Sequence, residues 1–291
     1  MGSGDLKGYL IEKYNNMSGA YTCRRLLEEA GKLGMDLRIV GINDTEARPE
    51  GIFNAGEKLE PVDFVINRYK WGKLKDAING LAGRTYNPLP AYNLYINKYE
   101  QVRRLTSDAF LKPKYILGTA ALPFGQITAE LGSPVVAKGL ESSMGREIFL
   151  VHNDSELKKM AAGYSPEKEW LFEEYIASSY GRDMRFYSIR GNVAACMQRK
   201  SAGDFRANVA LGASVEPLEI TDEILTIAKD IYDQTGLDFL GIDLLFGKDR
   251  PYFCEINVMP GIEGIEKASG KNIAREICET IKGDFDHGRV L

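Results

Sequence analysis

The sequence predicts an α/β fold in which a small parallel layer is followed by segments built on antiparallel hairpins. Three observations carry this. Up to about residue 67, short apolar strands alternate with a helical pattern across short connections, the signature of a parallel sheet. Residues 184–189 and 193–200 flank a turn at Arg190-Gly191-Asn192. Residues 240–246 and 252–258, each with period-two alternation, flank Gly247-Lys248-Asp249-Arg250. At 291 residues the chain can bury a large core, and its length suits one big domain or two to three small ones.

Composition narrows the function. With 44% apolar and 27% charged residues, the chain has the make-up of an ordinary soluble globular protein. A net charge of −4 gives no general reason to expect nucleic acid. No apolar run approaches the roughly 18 residues of a membrane span. The start has neither the basic nor the apolar region of a signal peptide, and Leu6 stands where myristoylation needs Ser or Thr. A cytoplasmic protein with neither nucleic-acid nor membrane partner is therefore expected. Cys23, Cys196, Cys254 and Cys278 are far apart in apolar patterns, as reduced core residues would be. His152 and His287 are the two histidines, which disfavours Ser-His or Cys-His catalysis and His-rich zinc sites.

In chain order, 8–11 is the first strand. Ser18 is placed as the N-cap of a helix with Leu26, Leu27, Ala30 and Leu33 as its apolar stripe and Gly34 as its C′ residue. Strands at 37–42 and 62–67 complete a Rossmann-like layer. Tyr86-Asn87-Pro88-Leu89-Pro90 is a Pro-rich boundary. A helix over about 98–108 is broken by Lys112-Pro113, and strand 115–117, helix 124–131 and strand 134–138 follow. A Gly/Ser loop over 139–146 leads into strand 147–151, then helix 154–162 and strand 170–176. After the 184–200 hairpin comes a loop with Gly203-Asp204-Phe205-Arg206-Ala207-Asn208. Thr221 caps a helix ending at Gly236.

Three constellations carry chemistry. Folding the last hairpin about its turn brings Asp243 opposite, or one residue from opposite, Glu255, with Asn257 on the face of Glu255. Two carboxylates and an amide oxygen, with no soft ligand nearby, suit a hard cation such as Mg²⁺, although such residues also line ordinary wet faces. The 139–146 loop, with Lys138 at its base, can fold backbone N–H groups over phosphates or be a solvated turn. Arg185 and Arg199 fall one diagonal apart on adjacent strands, which suggests an absent anion or two arginines splayed into water. Two look-alikes are rejected. Gly2-Ser3-Gly4 precedes a strand instead of following it, and 264–272 has Asn272 where a P-loop needs Ser or Thr.

From about residue 97 to the end the chain resembles the ATP-grasp enzymes, and within them the RimK-like carboxylate–amine ligases. The match rests on Gly241-Ile242-Asp243 and on the run E-I-N-V-M-P-G-I-E-G-I-E from Glu255. Glu173-Glu174-Tyr175-Ile176, Asp183-Met184-Arg185 and the Gly203–Asn208 loop extend it. The order and spacing of these motifs together are far more specific than any one of them.

The resemblance implies an ATP-dependent ligase that forms an amide through an acyl-phosphate, releasing ADP and phosphate. It implies an N-terminal layer over 1–92 and two α+β subdomains, 93–176 with the phosphate loop and 177–291 with the magnesium site, sandwiching ATP. Lys98 and Lys138 match phosphate-binding lysines, and Ser142, Ser143 and Gly145 lie in the loop that closes over the phosphates. Glu173, Glu174, Tyr175 and Ile176 match the hinge beside adenine, Asp183 the ribose-side partner, and Arg206 and Asn208 further nucleotide contacts. Asp243, Glu255 and Asn257 match the ligands of two Mg²⁺ ions, with Mn²⁺ as a substitute. Arg185, Arg199 and Arg206 are the expected catalytic cations. The loop departs from the family in carrying only two glycines, and the first ninety residues match weakly. The implied substrates are therefore a class: an amino acid of the glutamate kind, and an amine on an amino acid, peptide, protein tail or small molecule. Arg68 is placed either as a clamp for a substrate carboxylate or as an exposed surface arginine, and Lys70, Trp71 and Lys73 at the acceptor mouth. Relatives of this type assemble as dimers or tetramers. The alternatives are an ATP-binding regulatory protein of the same fold, which would not need three such arginines, and a D-alanine–D-alanine-type ligase.

Overall fold

The computed structural model describes residues 6–142, 145–207 and 212–286. Ser143 and Asn208 lie outside them. The first layer is a parallel sheet. Strand β1 (Leu6–Glu12) leads into α1 (Tyr21–Lys32) and β2 (Met35–Gly41). A small antiparallel flap of β3 (Thr45–Arg48), β4 (Gly51–Asn54) and β5 (Glu57–Lys58) intervenes before β6 (Val62–Asn67). Helix α2 (Lys73–Asn79) and β7 (Ala82–Tyr86) complete the order β2-β1-β6-β7, every pair parallel. The flap escapes sequence patterning because its exposed strands carry no apolar alternation. Ser18 is not the cap of α1. It sits in a 3₁₀ turn over Asn15–Gly19, and Ala20 precedes the helix without a side-chain cap bond. Gly34 follows at φ +72°, the left-handed position that ends helices.

The middle layer runs α3 (Leu89–Tyr95), α4 (Lys98–Arg104), β8 (Tyr115–Thr119), α5 (Phe124–Leu131), β9 (Val135–Gly139), β10 (Ile148–Val151), α6 (Asp154–Ala161) and β11 (Glu169–Glu174). Its sheet is antiparallel in the order β10-β9-β11-β8. Helix α4 stops at Arg104, not 108, because Leu105 turns extended and is fully buried. Trp170 and Phe172 point with Ala137 into a core under α5 and α6. By strand alternation, Lys138 and Glu173 take the other face.

The last layer comprises β12 (Arg182–Ile189), β13 (Asn192–Lys200), β14 (Ser214–Pro217), α7 (Asp222–Thr235), β15 (Phe239–Leu245), β16 (Tyr252–Asn257), α8 (Glu263–Ser269) and α9 (Ile273–Asp286). The strands pair antiparallel in the order β14-β13-β12-β15-β16. Thr221 caps α7 by accepting from the Ile224 N–H, and Gly236 ends it, as expected. Ile224, Ile227, Ala228 and Ile231 of α7 pack on Phe186, Ile242 and Leu244. The opposite face, through Tyr187, Ile189, Ala195 and Met197, shares a core with Leu10, Phe64 and Ile66 of the first layer. Between the middle and last sheets runs a cleft, where the Lys138 Nζ is 3.4 Å from the Cys254 carbonyl oxygen. Among the described residues no helix is long and apolar enough to cross a membrane.

Candidate active site

The β15–β16 hairpin sets Asp243 opposite Glu255 and Gly241 opposite Asn257, the register expected from the sequence. Gly241 is needed for close approach, since a Cβ there would lie 3.0 Å from Pro260 Cβ in the loop after β16. The pairing then jumps to Leu244–Phe253, leaving Cys254 as the extra residue of a bulge. Phe253 is therefore the buried core residue, while Cys254 is only half-buried, its Sγ 3.9 Å from Lys138 Nζ. Two expectations change accordingly: Cys254 is not a core cysteine, and a soft atom does lie beside the carboxylates. Burial pushes its thiol up to about 12, so it stays protonated. Cys23, Cys196 and Cys278 are buried and free, as expected.

Strand register also places the arginines. Asp183 pairs with Arg199 and Arg185 with Met197, so the two arginines are one diagonal apart. Neither is splayed into water: the Asp243 carboxylate lies between them and accepts from both. Its Oδ1 and Oδ2 accept from Arg185 Nε and Nη2 at 2.6 and 2.5 Å, and Oδ2 accepts from Arg199 Nη2 at 2.8 Å. Arg199 also donates twice to Asp183 at 2.6 Å. Burial pushes the Asp243 carboxyl up, but Arg185 and Arg199 outweigh it and hold the group below its ordinary range. For Asp183 burial wins over Arg199, and the group rises to about 6.

The lysines meet the same cluster from the middle layer. Asn97 caps α4, accepting from the Tyr99 and Glu100 N–H groups, and thereby presents Lys98 at the first helical position. Lys98 Nζ is 3.3 Å from Glu255 Oε2 and donates to the Ser142 carbonyl at 2.7 Å. Lys138 Nζ pairs with Glu173 Oε2 at 2.7 Å, which makes Glu173 a buried counter-ion beneath the cleft. Glu174, Tyr175 and Ile176 follow directly and are half-buried. Ser142 Oγ donates back to the Gly139 carbonyl at 3.1 Å. Arg206 stands apart from the other arginines. It pairs with Asp204 and donates to the Gly145 carbonyl at 2.8 Å, tying its loop to the one between β9 and β10.

Residues 68–71 supply neighbours that sequence patterning placed only loosely. Arg68 is not an exposed surface arginine. Its side chain is 18% exposed, and it donates to Glu12 Oε1 at 2.6 Å and to the Pro260 carbonyl at 3.1 Å. Lys70 is 8% exposed and donates to the Glu141 carbonyl at 2.9 Å, while Trp71 Nε1 donates to Glu141 Oε2 at 2.6 Å. Burial first, then Lys98, pulls the Lys70 ammonium down to about 8. The local signal for these contacts was slight: basic residues around a tryptophan after a buried strand.

Among the described residues no three His, Cys, Asp or Glu side chains converge on a metal-sized site. Asp243, Glu255 and Asn257 are an all-oxygen set of two carboxylates and an amide, which suits Mg²⁺ completed by water and phosphate oxygens. Lys98, Lys138, Arg185 and Arg199 are matched by Glu173, Asp183, Asp243 and Glu255. Those four cations by themselves leave little spare positive charge for a triphosphate. A divalent cation and further basic groups would supply it.

Comparison with known proteins gives a consistent answer. The model of the RimK-like ATP-grasp domain matches residues 121–281. A probable alpha-L-glutamate ligase of Methanococcoides burtonii is 32% identical over 288 residues, 93% of this chain and 94% of that protein. One from Halorhodospira halophila is 31% identical, covering 94% of this chain and 95% of its own. Among solved structures, the ATP-grasp ligase PsnB complexed with minimal precursor aligns with a TM-score of 0.70 at 17% identity, over 96% of this chain and 99% of its own. D-alanine–D-alanine ligase from Bacillus anthracis aligns at 0.73 and 16% identity, over 95% and 96%. The two structures share the fold; the sequence match goes to the RimK-like side.

Proposed function

We propose, for a chain that belongs to the RimK-like ATP-grasp family and is an ATP-dependent ligase forming C–N bonds, that it joins an amino acid of the glutamate class to a peptide, protein tail or small amine. The observation that carries the proposal is the facing pair Asp243 and Glu255, ringed by Arg185, Arg199 and Lys98 in a cleft between two sheets. The glutamate class is suggested by relatives matched along nearly their whole length, which are named probable alpha-L-glutamate ligases.

The chemistry balances without a covalent enzyme intermediate. A carboxylate oxygen of the acid attacks the γ-phosphorus in line, and the bond to the β-bridging oxygen breaks, releasing ADP. The amine then attacks the acyl carbon, phosphate leaves with one oxygen of the acid, and the amine loses a proton. Cys254, held as a thiol, is unsuited to act as a nucleophile. The chain's work is to bring two anions into contact and offset charge at the transferring phosphoryl group. In this proposal Lys98 and Lys138 bind nucleotide phosphates, and Arg185 and Arg199 steady Asp243 and face the phosphoryl oxygens. Glu174 to Ile176 and Asp183 line the nucleoside end. Arg206 holds the phosphate loop down through Gly145, a positioning role in place of the catalytic one expected. Asp243, Glu255 and Asn257 would hold two Mg²⁺ ions, which when bound neutralise the phosphates. Arg68 fixes the 260 loop against the first layer. The same family membership motivates a homodimer or homotetramer.

ADP release with Mg²⁺-ATP, glutamate and a panel of amines and short peptides tests this. The expected result is release that needs both an acid and an amine. Tight Mg²⁺-ATP binding with no release across the panel would overturn the ligase proposal and favour the regulatory alternative.

A further inference from the structure

Resting on the ligase proposal, we propose that Lys70 is a positioning residue for the transferred phosphoryl group, a third phosphate-site lysine delivered from the acceptor side of the cleft.

Its backbone is fixed from below. The Lys70 carbonyl accepts from the buried Lys75 Nζ at 3.3 Å, and the Tyr69 carbonyl accepts from Tyr92 Oη at 3.0 Å. Arg68, two residues back, is anchored on Glu12 and the Pro260 carbonyl. A segment pinned this way holds the Lys70 stem in one direction, and that direction is the phosphate loop. Lys70 and Lys98 end on adjacent carbonyls of that loop, Glu141 and Ser142, at 2.9 and 2.7 Å. Two ammonium groups thus converge where one cleft carboxylate, Glu255, is at hand, paired to Lys98 at 3.3 Å. The Glu141 carboxylate is turned instead to the Trp71 indole. Two buried cations facing one carboxylate and a pair of carbonyls form an environment that gains from an added anion.

The side of approach identifies which anion. Lys98 and Lys138 belong to the middle layer, whereas Lys70 follows β6 of the first layer and reaches the loop after β9 from that side. The group that must lie between nucleotide and acid is the phosphoryl group in transfer. Lys70 therefore distinguishes ATP from ADP, while Lys98 and Lys138 serve both.

The test is calorimetric binding of Mg²⁺-ADP and of a non-hydrolysable Mg²⁺-ATP analogue. Lys70→Gln keeps a donor for the Glu141 carbonyl but loses the charge. It should bind Mg²⁺-ADP within about twofold of the parent and the triphosphate analogue about tenfold or more weakly, the scale of one charge-assisted hydrogen bond. Lys70→Arg, which keeps the charge, should keep the preference. Trp71→Phe, which cuts the indole tie to Glu141 and keeps an aromatic ring beside Lys70 Nζ, should change both affinities alike. Equal weakening of both nucleotides in Lys70→Gln, or of neither, would overturn the proposal and leave Lys70 a structural tether. Failure of the parent protein to bind either nucleotide would instead overturn the ligase proposal on which it rests.

Discussion

Asp243 and Glu255 face each other across one strand pair, yet their substitutions should behave differently. Asp243 is 2% exposed and answers Arg185 and Arg199 together. Asp243→Ala would leave two arginines partly uncompensated in the interior, a loss on the scale of breaking a buried pair, about 3–5 kcal/mol. It therefore cannot separate chemistry from folding. Among the described residues Glu255 pairs with Lys98, at 3.3 Å. Glu255→Gln should leave the thermal midpoint within a few degrees and lower kcat by about a hundredfold or more, as loss of a preorganised charge does. Steady-state rates beside a thermal melt check both halves. That Asp243 faces Glu255 and that Arg185 and Arg199 lie one diagonal apart was legible from residue types and spacing. Their partners were not: nothing in the local sequence tells that Asp243 closes the gap between two arginines, or that Arg68 ends on the carbonyl of Pro260.

At the scale of elements, the hairpins were readable because one buried face forces a register. The 184–200 hairpin turns on Arg190 at φ +51° and Gly191 at φ +79°, a two-residue turn whose strands then pair from Ile189–Asn192 outward. A bulge at Ala194 then shifts the pairing to Tyr187–Ala195, and that extra residue is what sets Arg185 opposite Met197 with Arg199 on its diagonal. The β16 bulge was unreadable, because alternation assumes one residue per step and the extra one at Cys254 shifts every residue N-terminal to it. The exposed flap and the start of α1 were missed for a related reason: neither is specified by an apolar pattern. The first layer offers its own test. At Gly8 of β1 an added Cβ would stand 2.3 Å from the fully buried Phe64 ring. Gly8→Ala should cost about 1–3 kcal/mol by overpacking, seen as a lower denaturant midpoint. Partial recovery is expected when Phe64→Leu is added.

Across the whole molecule, the first and last layers are joined by charge as well as by apolar packing. Arg84 of β7 reaches Asp238 at 3.0 Å, Arg190 reaches Asp238 and Asp284 at 2.8 Å, and Tyr86 Oη donates to Asp284 at 2.7 Å. The Arg190 hydrogen bonds hold the Asp284 carboxyl down at about 2, against an ordinary 3.8. Between those values the unfolded chain binds more protons than the native one, so stability rises with pH and is lost as pH falls toward 2. Asp238, raised by burial, acts with opposite sign and above 3.8, outside that window. Asp284→Asn should flatten the acid limb of a stability–pH curve between about pH 2 and 4. These long-range ties, separated by up to 198 residues, leave no mark on the local sequence. The α/β class did, through strand–helix alternation followed by hairpins.

The central claim is that this cleft activates a carboxylate by direct phosphoryl transfer. Both substrates should be given ¹⁸O in their carboxylates and turned over with unlabelled Mg²⁺-ATP, and the products weighed by mass spectrometry. The account predicts one ¹⁸O in the released phosphate and none in ADP, because the acid's oxygen leaves with the phosphoryl group. Unlabelled phosphate, or label in a released AMP, would contradict it.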